Sequence, residues 1–143
     1  MSALTTLTVV AVPHRSPEVH RAGFDMGSEY VERVWTSSLG CTAVALLRRL
    51  ASEFADAEVV TINLPELATA LGLAWTDSRH SPLNRTLDRL VRFGFARWAD
   101  GELHVYTTVP PLGHGRLARL PQQVRDDHAL LLGVHLDSLA VTA

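Results

Sequence analysis

Between positions 79 and 97 the chain places five arginines, Arg79, Arg85, Arg89, Arg92 and Arg97, against one acid, Asp88. A guanidinium is a planar, permanently charged fork of N–H donors that matches phosphate oxygens and guanine edges. The 143-residue chain as a whole carries a formal net charge of -2. The basic face is therefore local, and the composition excludes a general polyanion binder while leaving room for one binding surface. All 13 basic residues are Arg and none is Lys. A GC-rich genome is an ordinary cause of that bias, and the chemistry it confers is the same.

Other chemistries find less support. Cys41 is the only cysteine, which excludes an internal disulfide and a multi-cysteine zinc site. It is expected as a small buried or half-buried residue, with no His or Asp in a catalytic pattern beside it. His14 and His20 are isolated. His128 and His135 are seven apart, on one side of a terminal helix, and read as surface or interface residues. There is no phosphate-cradling glycine loop, no recognisable pair of catalytic carboxylates and no nucleophile elbow. The expectation is a protein that is not an enzyme and holds no cofactor and no metal. Trp35 and Trp75 could line a pocket for a small effector, but no residue names the ligand.

The arginines must be positioned by an amphipathic helix and a hairpin. Ser81 is a good N-cap, and Pro82 suits the first helical position because its missing N–H would lack a partner there anyway. Leu83, Leu87, Leu90 and Val91 fall at i, i+4, i+7 and i+8 and make an apolar face. Arg85, Asp88, Arg89 and Arg92 fall on the other face, and Gly94 stops the helix. Residues 95–99 are strand-like, Asp100-Gly101 is a strong two-residue hairpin signal, and residues 102–108 return. Upstream, Ser28 can cap a short helix to Trp35, and residues 42–55 form a longer helix striped with Val44, Leu47, Ala51 and Phe54. Residues 59–62 are a short β-branched run. Asn63 then caps a helix with Pro65 in its first turn and Glu66 at capping-box spacing. That helix carries Leu64, Leu67, Ala68 and Leu71 and ends at Gly72. Residues 4–12 are β-prone. Residues 13–25 have no period and read as an arm. Pro121 opens a last helix with a broken stripe of Val124, Leu131, Leu132, Leu136 and Leu139.

The order helix, helix, strand, helix, turn, helix, hairpin over residues 28–109 resembles the winged helix-turn-helix family of DNA-binding domains, of the bacterial transcription-regulator type. The resemblance is carried by LPELATALGL as the first motif helix, SPLNRTLDRLVRFG as the second and FARWADGELHVY as the wing. The link over residues 72–80 is longer than the three- or four-residue turn of the simplest motifs. The resemblance implies a mainly α fold with a small β-hairpin, comprising an N-terminal arm (1–27), a winged helix-turn-helix domain (28–112) and a linker with a C-terminal helix (113–143). It implies a homodimeric regulator of double-stranded DNA. Many such proteins dimerise through terminal helices; the residues alone leave open whether this helix meets a second copy or folds back on its own domain.

If helix 82–93 enters the major groove, residues near its N-terminus reach base edges. Asn84 would pair with adenine and Arg85 with guanine. Ser81 and the first-turn N–H groups could hold a phosphate. Arg89 and Arg92 suit phosphates, and Arg79 and His80 lie where they reach the backbone. Arg97 and His104 on the wing could approach a minor groove or a phosphate. Thr86 could touch a thymine methyl or simply pack. The bland alternative is a solvated helix face. A second functional reading is a winged-helix module that contacts protein instead of DNA. The N-terminus lacks the basic region of a signal peptide, and no apolar run approaches the roughly 18 residues of a membrane span, so a cytoplasmic protein without membrane partners is expected.

Overall fold

The computed structural model describes residues 5–142. Its organising element is the first strand, β1 (Thr6–Val12). It pairs antiparallel with β3 (Val59–Asn63) and parallel with β5 (Glu102–Tyr106). The first strand of the hairpin, β4 (Ala96–Ala99), lies antiparallel to β5 and completes the four-stranded order β3-β1-β5-β4. In register, Val9 stands opposite Val60 on one side and Leu103 on the other. Val9, Leu103 and Val105 are fully buried, so this strand is built into the core.

The expected fold class is corrected here. A mainly α winged helix-turn-helix with a small hairpin is replaced by a mixed α/β domain with a four-stranded mixed sheet. Residues 1–27 were expected as an arm with a β-prone run at 4–12. The described part of that run is the strand β1, an inner strand of the sheet, and the stretch after it forms a short helix α1 (Pro17–Ala22) and a strand β2 (Phe24–Asp25) that pairs with β6 (Thr108–Val109). The physical reason is the β-branched run of β1, which satisfies both its hydrogen-bonding edges and its apolar face only between two partners. The sequence pattern shows that run but not which edges receive it.

The helices cover one face of the sheet. A π-helical turn (Val31–Trp35) runs directly into α2 (Thr36–Leu39). Helix α3 (Cys41–Phe54) buries Ala43, Val44, Leu46, Leu47 and Leu50. Helix α4 (Leu64–Ala70) starts at Asn63, whose side chain accepts from Glu66 N at 3.0 Å. Helix α5 (Pro82–Arg92) buries Leu83, Thr86, Leu87 and Leu90. At the hairpin tip, Asp100 and Gly101 both have positive φ (53° and 78°), as a type I′ turn requires.

The C-terminal portion closes on the same body. Leu117, in the single turn α6 (His114–Leu117), is buried, and α7 (Gln122–Thr142) packs on the π-helical turn. His135 stacks on Phe24 with ring centroids 4.3 Å apart, and its Nε2 donates to the carbonyl of Ala22 at 2.8 Å. Tyr30 makes the tightest link. Its hydroxyl accepts from Leu112 N at 2.9 Å and lies 2.6 Å from His128 Nδ1. The one hydroxyl thus joins the π-helical turn to the start of the C-terminal segment and to α7. The question of where the last helix goes is thus answered in part: it folds back. Its outer side still exposes Leu130, Val134, Leu136 and Val141. Among the described residues no helix is long and apolar enough to cross a membrane.

Two outcomes follow from this architecture. Deleting residues 1–12 is expected to abolish the cooperative thermal transition in circular dichroism, because it strips β3 and β5 of their shared partner; an unchanged melt would return this segment to the status of an arm. The second concerns pH. Burial, with His114 nearby, holds His128 below the usual histidine value of 6.5. The unfolded chain therefore binds more protons than the native state as pH falls through that value, and stability present above it is lost below it. The melting temperature should fall between about pH 7.5 and about pH 5. Since burial of His14 acts in the same direction, His128→Gln should reduce that slope without removing it.

Candidate nucleic-acid interface: an arginine-lined cleft

The site is built on α5. Its buried leucines fix which side faces the core, and the 3.6-residue period then turns Arg85, Asp88, Arg89 and Arg92 outward. Across from them stands the start of α3. The two enclose a cleft of about 510 Å³ lined by Leu39 to Ala43, by Arg79, His80 and Arg85, and by Thr86, Asp88, Arg89 and Arg92. Five of the basic groups singled out from sequence are thereby brought together by the fold: Arg79, His80, Arg85, Arg89 and Arg92. Asp88 is the one acid among them.

Arg89 is held in a defined place. Its Nη1 donates to the carbonyl of Leu39 at 3.2 Å, at the C-terminal end of α2. Gly40 suits this corner: its φ of +89° is a backbone conformation that strains other residues, and a Cβ there would press on Nη1 at 3.3 Å. A guanidinium on a carbonyl at a helix end is electrostatically favourable, so Arg89 ties α5 to the α2–α3 corner and shapes the cleft. The same glycine has no side chain to cap α3, so the positive end of that helix dipole adds to the arginine field. By contrast, Arg79, Arg85 and Arg92 form no ion pair among the described residues, whereas Arg33 and Arg48 elsewhere pair with Glu29 and Glu32.

The structure separates four predicted residues from this group. Ser81 is 2% exposed and its hydroxyl accepts from Asn84 N at 3.3 Å. It is a cap, and its oxygen is occupied. Pro82 offers no N–H, and the N–H of Arg85 bonds the Ser81 carbonyl at 2.9 Å, so the first turn of α5 is not an open anion cradle. Asn84 is half-buried, and its Nδ2 donates to the Ser78 carbonyl at 2.9 Å. That bond takes one of the two amide hydrogens and fixes the amide's orientation on the preceding turn. Thr86 lines the cleft but is buried, and its hydroxyl donates to the Pro82 carbonyl at 2.9 Å. Arg97 and His104 are cross-strand neighbours. The alternation that buries Leu103 and Val105 turns them to the sheet's other face, and neither lines the cleft. His104 Nε2 also lies 3.2 Å from Glu102 Oε1, a carboxylate that opposes phosphate binding there.

Sequence reasoning missed features on this side. Cys41 was expected to be buried or half-buried and is exposed, as the first residue of α3 in the cleft wall. The glycine before it leaves the helix start open, where an apolar stripe counted from Thr42 suggested cover. Arg116 and Arg119 read as linker residues, yet both stand at a surface cleft beside the end of α5. Their three-residue spacing around the buried Leu117 was the available signal.

No family model, curated protein or solved structure matches the chain. The reading of the site therefore rests on its chemistry.

Ser81→Ala should lower stability by about 1 kcal/mol, the usual cost of losing a hydroxyl cap. It should leave the salt dependence of any DNA binding unchanged, which separates a cap from a phosphate ligand in one denaturation series and one titration.

Proposed function

We propose that the protein binds double-stranded DNA with the outer face of α5, as a homodimeric transcription regulator. The supporting observation is the convergence of Arg79, His80, Arg85, Arg89 and Arg92 on one open cleft in a chain of net charge -2. Four guanidinium groups against the single carboxylate of Asp88 leave the cleft with excess positive charge, which attracts a phosphate backbone and releases its counterions. Arg85, exposed in the first half of α5, is the residue placed to read a guanine edge. Arg79 and Arg92 flank it and hold phosphates, which sets register without carrying sequence information. Arg89 serves both the corner and the field. The outward apolar residues of α7, Leu130, Val134 and Leu136, support contact with a second copy. A dimer would present two such clefts and read a site of matching symmetry.

Binding is tested by fluorescence anisotropy with a duplex selected from a random pool. Affinity should fall with salt at a log–log slope near −0.9 per phosphate neutralised. Arg85→Ala is expected to cost about 1–3 kcal/mol and to relax base preference at one position. Arg92→Ala should weaken all sequences alike and reduce the slope by about 1. Absence of binding to any duplex at low salt would reject this function and leave an acidic protein surface as the partner of the arginine face.

A further inference from the structure

The basic surface does not stop at the end of α5. Phe93, immediately after Arg92, lies under the guanidinium of Arg116, whose carbon sits 4.9 Å from the ring centroid. The aromatic face holds that cation in place without neutralising it. Arg116 and Arg119 line a second surface cleft, of about 540 Å³, together with Ser37, Ser38, Gly115 and Leu120. No acid lines it, and neither arginine forms an ion pair among the described residues.

The two clefts adjoin. Ser37 and Ser38 of the second are followed in the chain by Leu39 and Gly40 of the first. Arg92 borders the first, and its neighbour Phe93 carries Arg116 of the second. Arg85, Arg89 and Arg92 advance along α5 at one-turn intervals covering roughly 10 Å. Arg116 and Arg119 take up the series beyond the helix's last turn. Leu117, buried between them in the sequence, anchors the turn that presents both.

We propose that Arg116 and Arg119 form a second phosphate seat, for the backbone of the same duplex where it extends past the base pairs reached by α5. This rests on the DNA-binding reading above. The contacts are to phosphodiester oxygens and carry no base preference. A segment read from sequence as a linker would thereby enlarge the DNA footprint, and the bound duplex would fix the approach to α7, which begins three residues after Arg119.

The test compares native protein, Arg116→Ala/Arg119→Ala and Arg92→Ala on two duplexes. One is trimmed to the base pairs protected by α5 contacts; the other is extended by about half a helical turn on each side. The double variant should bind the trimmed duplex as the native protein does. On the extended duplex it should lose affinity equally for all flanking sequences, with the salt slope reduced by about 1.8, two phosphates at 0.9 each. Because Arg116 also covers Phe93, Arg119→Ala alone, which removes an exposed side chain, is measured in parallel and should show half the change in slope. If the double and single variants match native protein on both duplexes while Arg92→Ala weakens both, the second seat is refuted and DNA binding by α5 stands. If native protein binds neither duplex, both proposals fall together.

Discussion

One strand holds this structure together by bonding on both sides. β1 forms a parallel ladder with β5 and an antiparallel ladder with β3, and its partners lie about 50 and 95 residues away in the chain. β3 and the β4–β5 hairpin share no ladder; each is joined to the other through β1. An isolated hairpin is marginal in water. Here its inner strand gains a partner, and its apolar side chains Leu103 and Val105 gain a wall of Val9 and Ala11 in register. Helices α3 and α5 then have a sheet to lie on, and the position of α5 depends on that sheet.

The functional face follows from a second constraint. α5 is amphipathic with little tolerance for rotation, since Leu83, Leu87 and Leu90 are all nearly inaccessible. Any rotation that relieved the arginines of one another would expose leucines, each worth about 1.5–3 kcal/mol when buried. Surface repulsion between guanidinium groups in water is smaller than this. The apolar side therefore wins, and the arginines are kept together at the cleft. The Arg89 contact with the Leu39 carbonyl, over a glycine that no larger residue could replace without strain, fixes the distance between the two cleft walls.

The N-terminal half of α5 shows how local hydrogen bonding removes candidates. Ser81 and Asn84 have the right residue types for anion and base contacts. Both are drawn into closing the turn over residues 78–84: Ser81 caps the helix, and Asn84 grips the Ser78 carbonyl. Short polar side chains bond their own backbone readily, whereas a guanidinium carries donors only and has nothing to offer the free N–H groups at a helix start. That difference in chemistry is why Arg85 remains available and its smaller neighbours do not.

The sequence alone determined what is local. The boundaries of α3, α4 and α5 lie within about two residues of those read from caps, periods and breakers, and the hairpin tip follows from Asp100-Gly101. The arginine stripe of α5 was legible too, because helical period and buried leucines dictate it. Tertiary structure decided what joins distant segments. A β-prone run at residues 4–12 carries no mark of the edges it will pair with, so a strand legible within an expected arm became an inner strand of the sheet, and the fold class changed with it. Arg116 and Arg119 sit in a glycine-containing stretch without period, and only the burial of Leu117 and the seating of Arg116 over Phe93 set them at the end of α5. Arg97 and His104 were read as partners of the α5 arginines, and strand alternation placed them on another face. Periodicity is a property of neighbours along a chain; adjacency across a fold depends on which edges and faces meet, and that is settled by the burial of the whole.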